Sequence, residues 1–136
     1  MMSLLPTNKD IDELIAFLPK LYAEGFKPVK CWRGGDKNKD GVIQIPWPEY
    51  ENVVIEFFHI ASKQCWKDYN YTSNNAVEMI KNKDTIKNAS LEQIKTMITL
   101  CVRRERFCEG IWESVIEEEI IRSLLERLQK IRANNS

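Results

Sequence analysis

One histidine, His59, stands among 136 residues. Ser-His-Asp triads, Cys-His pairs and His-rich metal catalysts all draw on imidazole, so most of that chemistry is excluded. At about 100° per residue, His59 falls opposite the stripe Val53, Val54, Phe57, Phe58, Ala61 and Cys65, on the polar face of its helix. Zinc spacing is also missing. The four cysteines, Cys31, Cys65, Cys101 and Cys108, include no pair two to four residues apart, and they read as free thiols acting as small hydrophobes. No cofactor and no metal are expected. Charge of one sign is lacking too, with 20 Lys+Arg against 20 Asp+Glu. A general nucleic-acid binder carries a basic excess and an acidic mimic of DNA the reverse, so both are excluded as wholesale functions. The richest apolar run, residues 53–58, is broken by Glu56 and falls far short of the ~18 residues that span a bilayer. The opening Met1-Met2-Ser3-Leu4-Leu5-Pro6 is too short for a signal peptide and has no basic flank, which predicts a cytoplasmic protein.

What is present is an ordinary globular composition, 43% apolar with 10% aromatic residues. At about 150 residues per domain, the chain predicts a single domain over 1–136, with an ordered core over 8–131 and a frayed tail at 132–136. Asp10-x-x-Glu13 resembles a capping box opening a helix over 10–18, with Ile11, Leu14, Ile15 and Leu18 at helical spacing. Pro19 kinks or ends it, and Gly25 stops the chain beyond. Residues 26–33 read as a strand, the turn at Gly34-Gly35 closes it, and 42–45 read as its partner, giving a hairpin over 26–45. Pro48 suits the first turn of a helix over 50–66. Residues 67–71 read as extended, with Asp68, Tyr69 and Tyr71 at the core edge. A short helix over 74–81 takes Ser73 as its cap, and 82–89 read as polar loop. Ser90-x-x-Gln93 is a capping box for a helix to residue 107 with an apolar face of Leu91, Ile94, Met97, Ile98, Cys101 and Val102.

Toward the C-terminus, Ile111, Trp112, Val115 and Ile116 form one stripe. Ile120, Ile121, Leu124, Leu125, Leu128 and Ile131 form another. The nine residues from Ile111 to Ile120 turn a helix by about two and a half turns, which puts the stripes on opposite sides. A break near Glu117-Glu118-Glu119 resolves this; the rival is one continuous helix whose second stripe forms a dimer, and a homodimer through the C-terminal helices is the expected assembly. The sum is an α+β domain, predominantly helical, with a small hairpin packed on the helices.

Three constellations bear on chemistry. Asp36, Asn38 and Asp40, followed by Gly41 and Ile43, match the start of a calcium loop, but Trp47 stands where the bidentate Glu belongs. Asp, Asn and Gly are equally what a plain hairpin turn requires. The second is Arg103, Arg106 and Phe107, projected away from the apolar stripe beside Thr99 and followed by Trp112. Two guanidinium forks with aromatic neighbours suit a phosphate or carboxylate and can stack a base. The bland alternative is pairing with Glu113 or Glu117 at a helix end, where basic residues are favoured. The third is the aromatic set Trp32, Trp47, Tyr50, Trp66, Tyr69, Tyr71 and Trp112, expected in the core or at its edge.

The tract Val102-Arg103-Arg104-Glu105-Arg106-Phe107-Cys108-Glu109-Gly110, with Glu117 and the helix over 121–128, resembles the C-terminal signature of a bacterial family, the domain of unknown function 6508 family. The turn at Gly34-Gly35 and Pro46-x-x-x-Tyr50 resemble it as well, so the likeness covers about residues 11–131. The family tends to carry a glycine where Glu119 stands. The resemblance implies that Arg103, Arg106, Phe107 and Gly110 form a motif, and it implies no activity.

These residues favour a small non-catalytic binding module, of the kind found as a phage or mobile-element accessory protein. It would capture an anionic nucleotide-like ligand or block a host protein, with Arg103, Arg106, Phe107, Trp112 and Thr99 as ligand-binding candidates. One alternative is a nucleic-acid-associated protein using Arg103, Arg104 and Arg106 with Lys27, Lys30, Arg33, Lys37 and Lys39. The other is a small hydrolase using Glu105, Glu109 or Glu117 with the arginines.

Overall fold

The computed structural model describes residues 5–34, 41, 46–105 and 110–134. It is an α+β domain built mainly of helices, with one two-stranded antiparallel ribbon. Helix α1 (Asn8–Ile15) starts one turn earlier than Asp10-x-x-Glu13 predicts. Thr7 is its cap and Asp10 the returning acid, so the box is Thr7-x-x-Asp10. Pro19 sits in the first turn of a separate short helix, α2 (Leu18–Leu21), where its missing N–H costs nothing.

The ribbon differs from the expected one. Strand β1 (Val29–Arg33) pairs with β2 (Trp47–Tyr50), with Arg33 opposite Trp47 and Trp32 opposite Pro48. The expected partner, 42–45, lies outside the described residues. Pro48 therefore belongs to a strand, not a helix. A two-stranded ribbon leaves each strand one unpaired edge, so a residue without an N–H is tolerated. Helix α3 (Asn52–Ala61) is correspondingly shorter than 50–66, and a 3-10 turn over Gln64–Trp66 follows it. Val54, Phe57, Phe58 and Ala61 are buried, and His59 is exposed.

Helix α4 (Ala76–Ile80) begins after Asn75, whose own left-handed backbone (φ 64°) starts it in place of a Ser73 cap. The expected loop at 82–89 contains a further helix, α5 (Lys83–Lys87). The Asn82 side chain accepts from the N–H groups of Asp84 and Thr85, and Ile86 is buried. A single buried isoleucine in a polar stretch leaves no readable period.

Helix α6 (Leu91–Arg104) opens with the expected Ser90–Gln93 box. Its middle, Ile94 to Cys101, is buried on all sides, so it is the central helix, with Lys95, Thr96 and Thr99 covered as well as its apolar face. Burial holds the Cys101 thiol up at about 12, which keeps it neutral and unreactive.

The C-terminal segment is two helices, α7 (Ile111–Glu117) and α8 (Ile120–Asn134), with the break at Glu118-Glu119. Glu119 takes the left-handed backbone itself, at φ 65°. The Tyr22 hydroxyl pins the joint: it donates to the Ile116 carbonyl and accepts from the Arg122 N–H, both at 2.9 Å. Ile121, Leu124, Leu125 and Leu128 are buried within the chain, where α8 packs on α1, α2, α5, α6 and α7. Most of the second stripe is thus absorbed in the core of the chain, with Ile120 and Ile131 partly buried. Residues 132–134, expected to fray, continue α8, and Arg132 pairs with Asp12 at 2.9 Å to tie it to α1.

Candidate functional site

Of the ligand-binding candidates, Arg106 and Phe107 lie outside the described residues, as do Asp36, Asn38 and Asp40 of the calcium-like loop. The others are placed apart. Thr99 is interior, not on a solvent face. Its hydroxyl donates toward the Trp66 and Lys95 carbonyls and accepts from the Asp68 N–H at 2.9 Å. Arg103, on the same side of α6, rests its guanidinium over the Tyr71 ring at 5.7 Å. Trp112 faces elsewhere. It stacks on Phe58 with ring centroids 4.3 Å apart and meets Tyr50 at 5.3 Å.

The aromatic set divides in the same way. Trp66 and Tyr50 are buried, whereas Trp32, Trp47 and Tyr69 are exposed. Trp47 is on the outer face of the ribbon with Arg33 and Glu49. Arg33 is ion-paired to Glu49 at 2.8 Å, which ties up one of the hairpin cations proposed for nucleic acid. Trp32 leans over Gly110, whose backbone is left-handed (φ 92°); a Cβ there would come within 2.7 Å of the indole.

Glu105, a candidate acid, is a clamp. Its carboxylate accepts from the Tyr50 hydroxyl at 2.9 Å, the Trp112 N–H at 3.0 Å and the Gly110 N–H at 3.2 Å. It thereby joins α6, β2 and the start of α7, whose leading N–H groups have no helical partner. Burial and this hydrogen bond push the Tyr50 phenol well above its ordinary range. An open hollow of about 450 Å³ beside the clamp is lined by Ile55, Phe58, His59, Ser62, Val102 and Trp112. Asp68 is committed in a comparable manner. Burial opposes its ionisation, but hydrogen bonds from Thr96, Asn74 and the Asn70 N–H outweigh that and hold its carboxyl below the usual range. Among the described residues no group of three or more His, Cys, Asp and Glu is placed to hold a metal ion, and no helix is long and apolar enough to cross a membrane.

A larger hollow, of about 680 Å³, lies between α5 and α8. Four cations line it, Lys83, Lys87, Arg127 and Lys130, against the carboxylates of Asp84 and Glu126. Glu126 is drawn toward Arg122, at 3.7 Å. Among the described residues Lys83, Lys87 and Lys130 have no ion-pair partner. Arg127 is oriented by its Nε–H, which donates to the Ala89 carbonyl at 2.8 Å. A second hollow of about 370 Å³ adjoins it, sharing Lys83 and Ser123, and is lined by Ile80, Ile86, Ile120 and Arg104. The sequence signals for this region are weak individually. Lys83 and Lys87 are one helical turn apart on α5, and Arg127 and Lys130 likewise on α8. Only the packing of α5 on α8 unites them.

These elements define a small, mainly helical α+β domain whose central helix is enclosed and whose open surface includes a cationic groove. The chain belongs to the family described as Family of unknown function (DUF6508), which it matches over residues 6–134. No curated protein and no solved structure matches it.

Proposed function

We propose that the domain is a non-catalytic binding module that takes an anionic ligand in the groove between α5 and α8. The observation that carries this reading is the meeting of four cations, Lys83, Lys87, Arg127 and Lys130, in a hollow of about 680 Å³, none of them ion-paired to a carboxylate among the described residues. That volume falls in the range of small-molecule sites, roughly 300–1,000 Å³. Holding like charges side by side is unfavourable in the free protein, and an anion relieves it. The ligand class is the one Arg103 and Arg106 suggest in the sequence, and the groove offers it a concave surface lined by cations.

Inorganic tripolyphosphate is the probe. Titration calorimetry on the wild-type chain is expected to show binding that weakens as salt is raised. Lys87→Glu with Lys130→Glu abolishes it at a melting temperature near wild type, since both side chains are exposed. Arg103→Ala leaves it intact. Binding that survives the double reversal and is lost on Arg103→Ala would return the site to the α6 block and overturn the proposal.

A further inference from the structure

The adjoining hollow says what else the ligand carries. Resting on the anion-binding reading above, we infer that the ligand is an organic phosphate: its phosphates lie among Lys83, Lys87, Arg127 and Lys130, and its apolar body enters the hollow at Ile80, Ile86 and Ile120. The two hollows share Lys83 and Ser123 in their linings, so they lie side by side. Both linings carry charged side chains, Lys81, Lys83, Arg104, Glu118 and Glu119 in the second, but only the second brings isoleucines together. The first is walled by charged side chains along α5 and α8, with cations outnumbering acids. The second has three isoleucines at its floor, two of them almost wholly buried.

The acids of the second hollow do not oppose this arrangement equally. Glu119 is ion-paired to Arg122 at 3.1 Å, while Glu118 is exposed at the break between α7 and α8. Arg104, half-buried at the end of α6, adds a guanidinium plane to the same wall. A flat or aliphatic body packs against isoleucine and lies along such a plane, whereas a bare polyphosphate gains nothing there. A nucleoside and an isoprenoid chain share this chemistry, and each can be supplied on a phosphate.

The test pairs each organic phosphate with its inorganic counterpart: adenosine triphosphate with tripolyphosphate, and geranyl diphosphate with pyrophosphate, all titrated into the full chain without magnesium. At least one organic member is expected to bind ten-fold or more tightly than its counterpart. Ile120→Asn should erase that gain while leaving the inorganic probes unchanged, and Ile120→Val should restore it. Saturation-transfer NMR on the wild-type chain gives a variant-free check, with contacts expected from the ligand's carbon-bound protons to isoleucine methyls. Which organic member gains identifies the body as nucleoside or isoprenoid. Equal affinities within both pairs would overturn this inference and leave the anion site standing. Binding of no probe at all would overturn both.

Discussion

Replacing Glu105 tests the joint on which the C-terminal half of the fold turns. Its carboxylate receives three donors: the Tyr50 hydroxyl, the Gly110 N–H and the Trp112 N–H. Hydrogen bonds to a charged group contribute about 1.5–3 kcal/mol each, and they do not add fully when they share one acceptor. Glu105 is half-buried, so water replaces part of what is lost. Glu105→Ala is therefore expected to destabilise by about 3 kcal/mol. Glu105→Gln keeps one oxygen but turns an NH2 toward a donor, and is expected to cost about 1–2 kcal/mol. Tyr50→Phe alone should cost about 1 kcal/mol, and the double variant should show a coupling of about 1 kcal/mol with Glu105→Gln. Urea unfolding at neutral pH measures all four variants against the wild type. If Glu105→Gln lies within about 0.5 kcal/mol of wild type and the coupling is zero, the carboxylate is not a clamp, and Glu105 becomes available again as an acid for chemistry.

Gly110→Ala should cost about 2 kcal/mol, part from the left-handed backbone and part from the indole of Trp32; in a Trp32→Ala background the cost should fall to about 1 kcal/mol. Equal costs in the two backgrounds would show that Trp32 does not press on this glycine. Glu119→Gly relieves a positive φ at the loss of an exposed pair with Arg122, so it should raise the melting temperature by about 2 °C, while Glu119→Ala should not. A thermal melt of the two variants decides it. On the acid side, Asp68 has its folded pKa below its ordinary 3.8, so its stabilisation is present above that value and lost as pH falls through the lowered one; Asp68→Ala should flatten the acid limb of a stability–pH curve. On the alkaline side, Tyr22 and Tyr50 have folded pKa values above their ordinary 10, because burial opposes ionisation of both. Stability is therefore retained up to about pH 10 and lost above it, and Tyr50→Phe should reduce that loss.

The parts of the fold that were legible in the sequence are those whose signal is local. The Ser90–Gln93 box, the buried face of α3 and the break before α8 each rest on residues within one or two turns of each other. Helix α5 is not legible because one buried isoleucine, Ile86, sets no period in a polar stretch, and only the Asn82 cap hints at it. The partner of β1 was misplaced because Pro48 and Tyr50 suit a helix start as well as an edge strand. The groove between α5 and α8 is hard to read in the sequence for a related reason. A run of arginines in one segment is conspicuous, whereas the groove takes Lys83 and Lys87 from one helix and Arg127 and Lys130 from another about 40 residues later. Their meeting depends on α5 lying against α8, which no pattern in either segment specifies. Thr99 shows the converse. On a wheel it faces outward from the apolar stripe, but α6 is covered on that side as well by the segment from Trp66 to Asp68.

Amide NMR shift mapping of the wild-type chain titrated with tripolyphosphate tests the central claim most directly. The largest shifts are expected on residues 83–87 of α5 and 123–130 of α8, diminishing as salt is raised. Shifts concentrated at Arg103 and Trp112, with α5 and α8 silent, would contradict it.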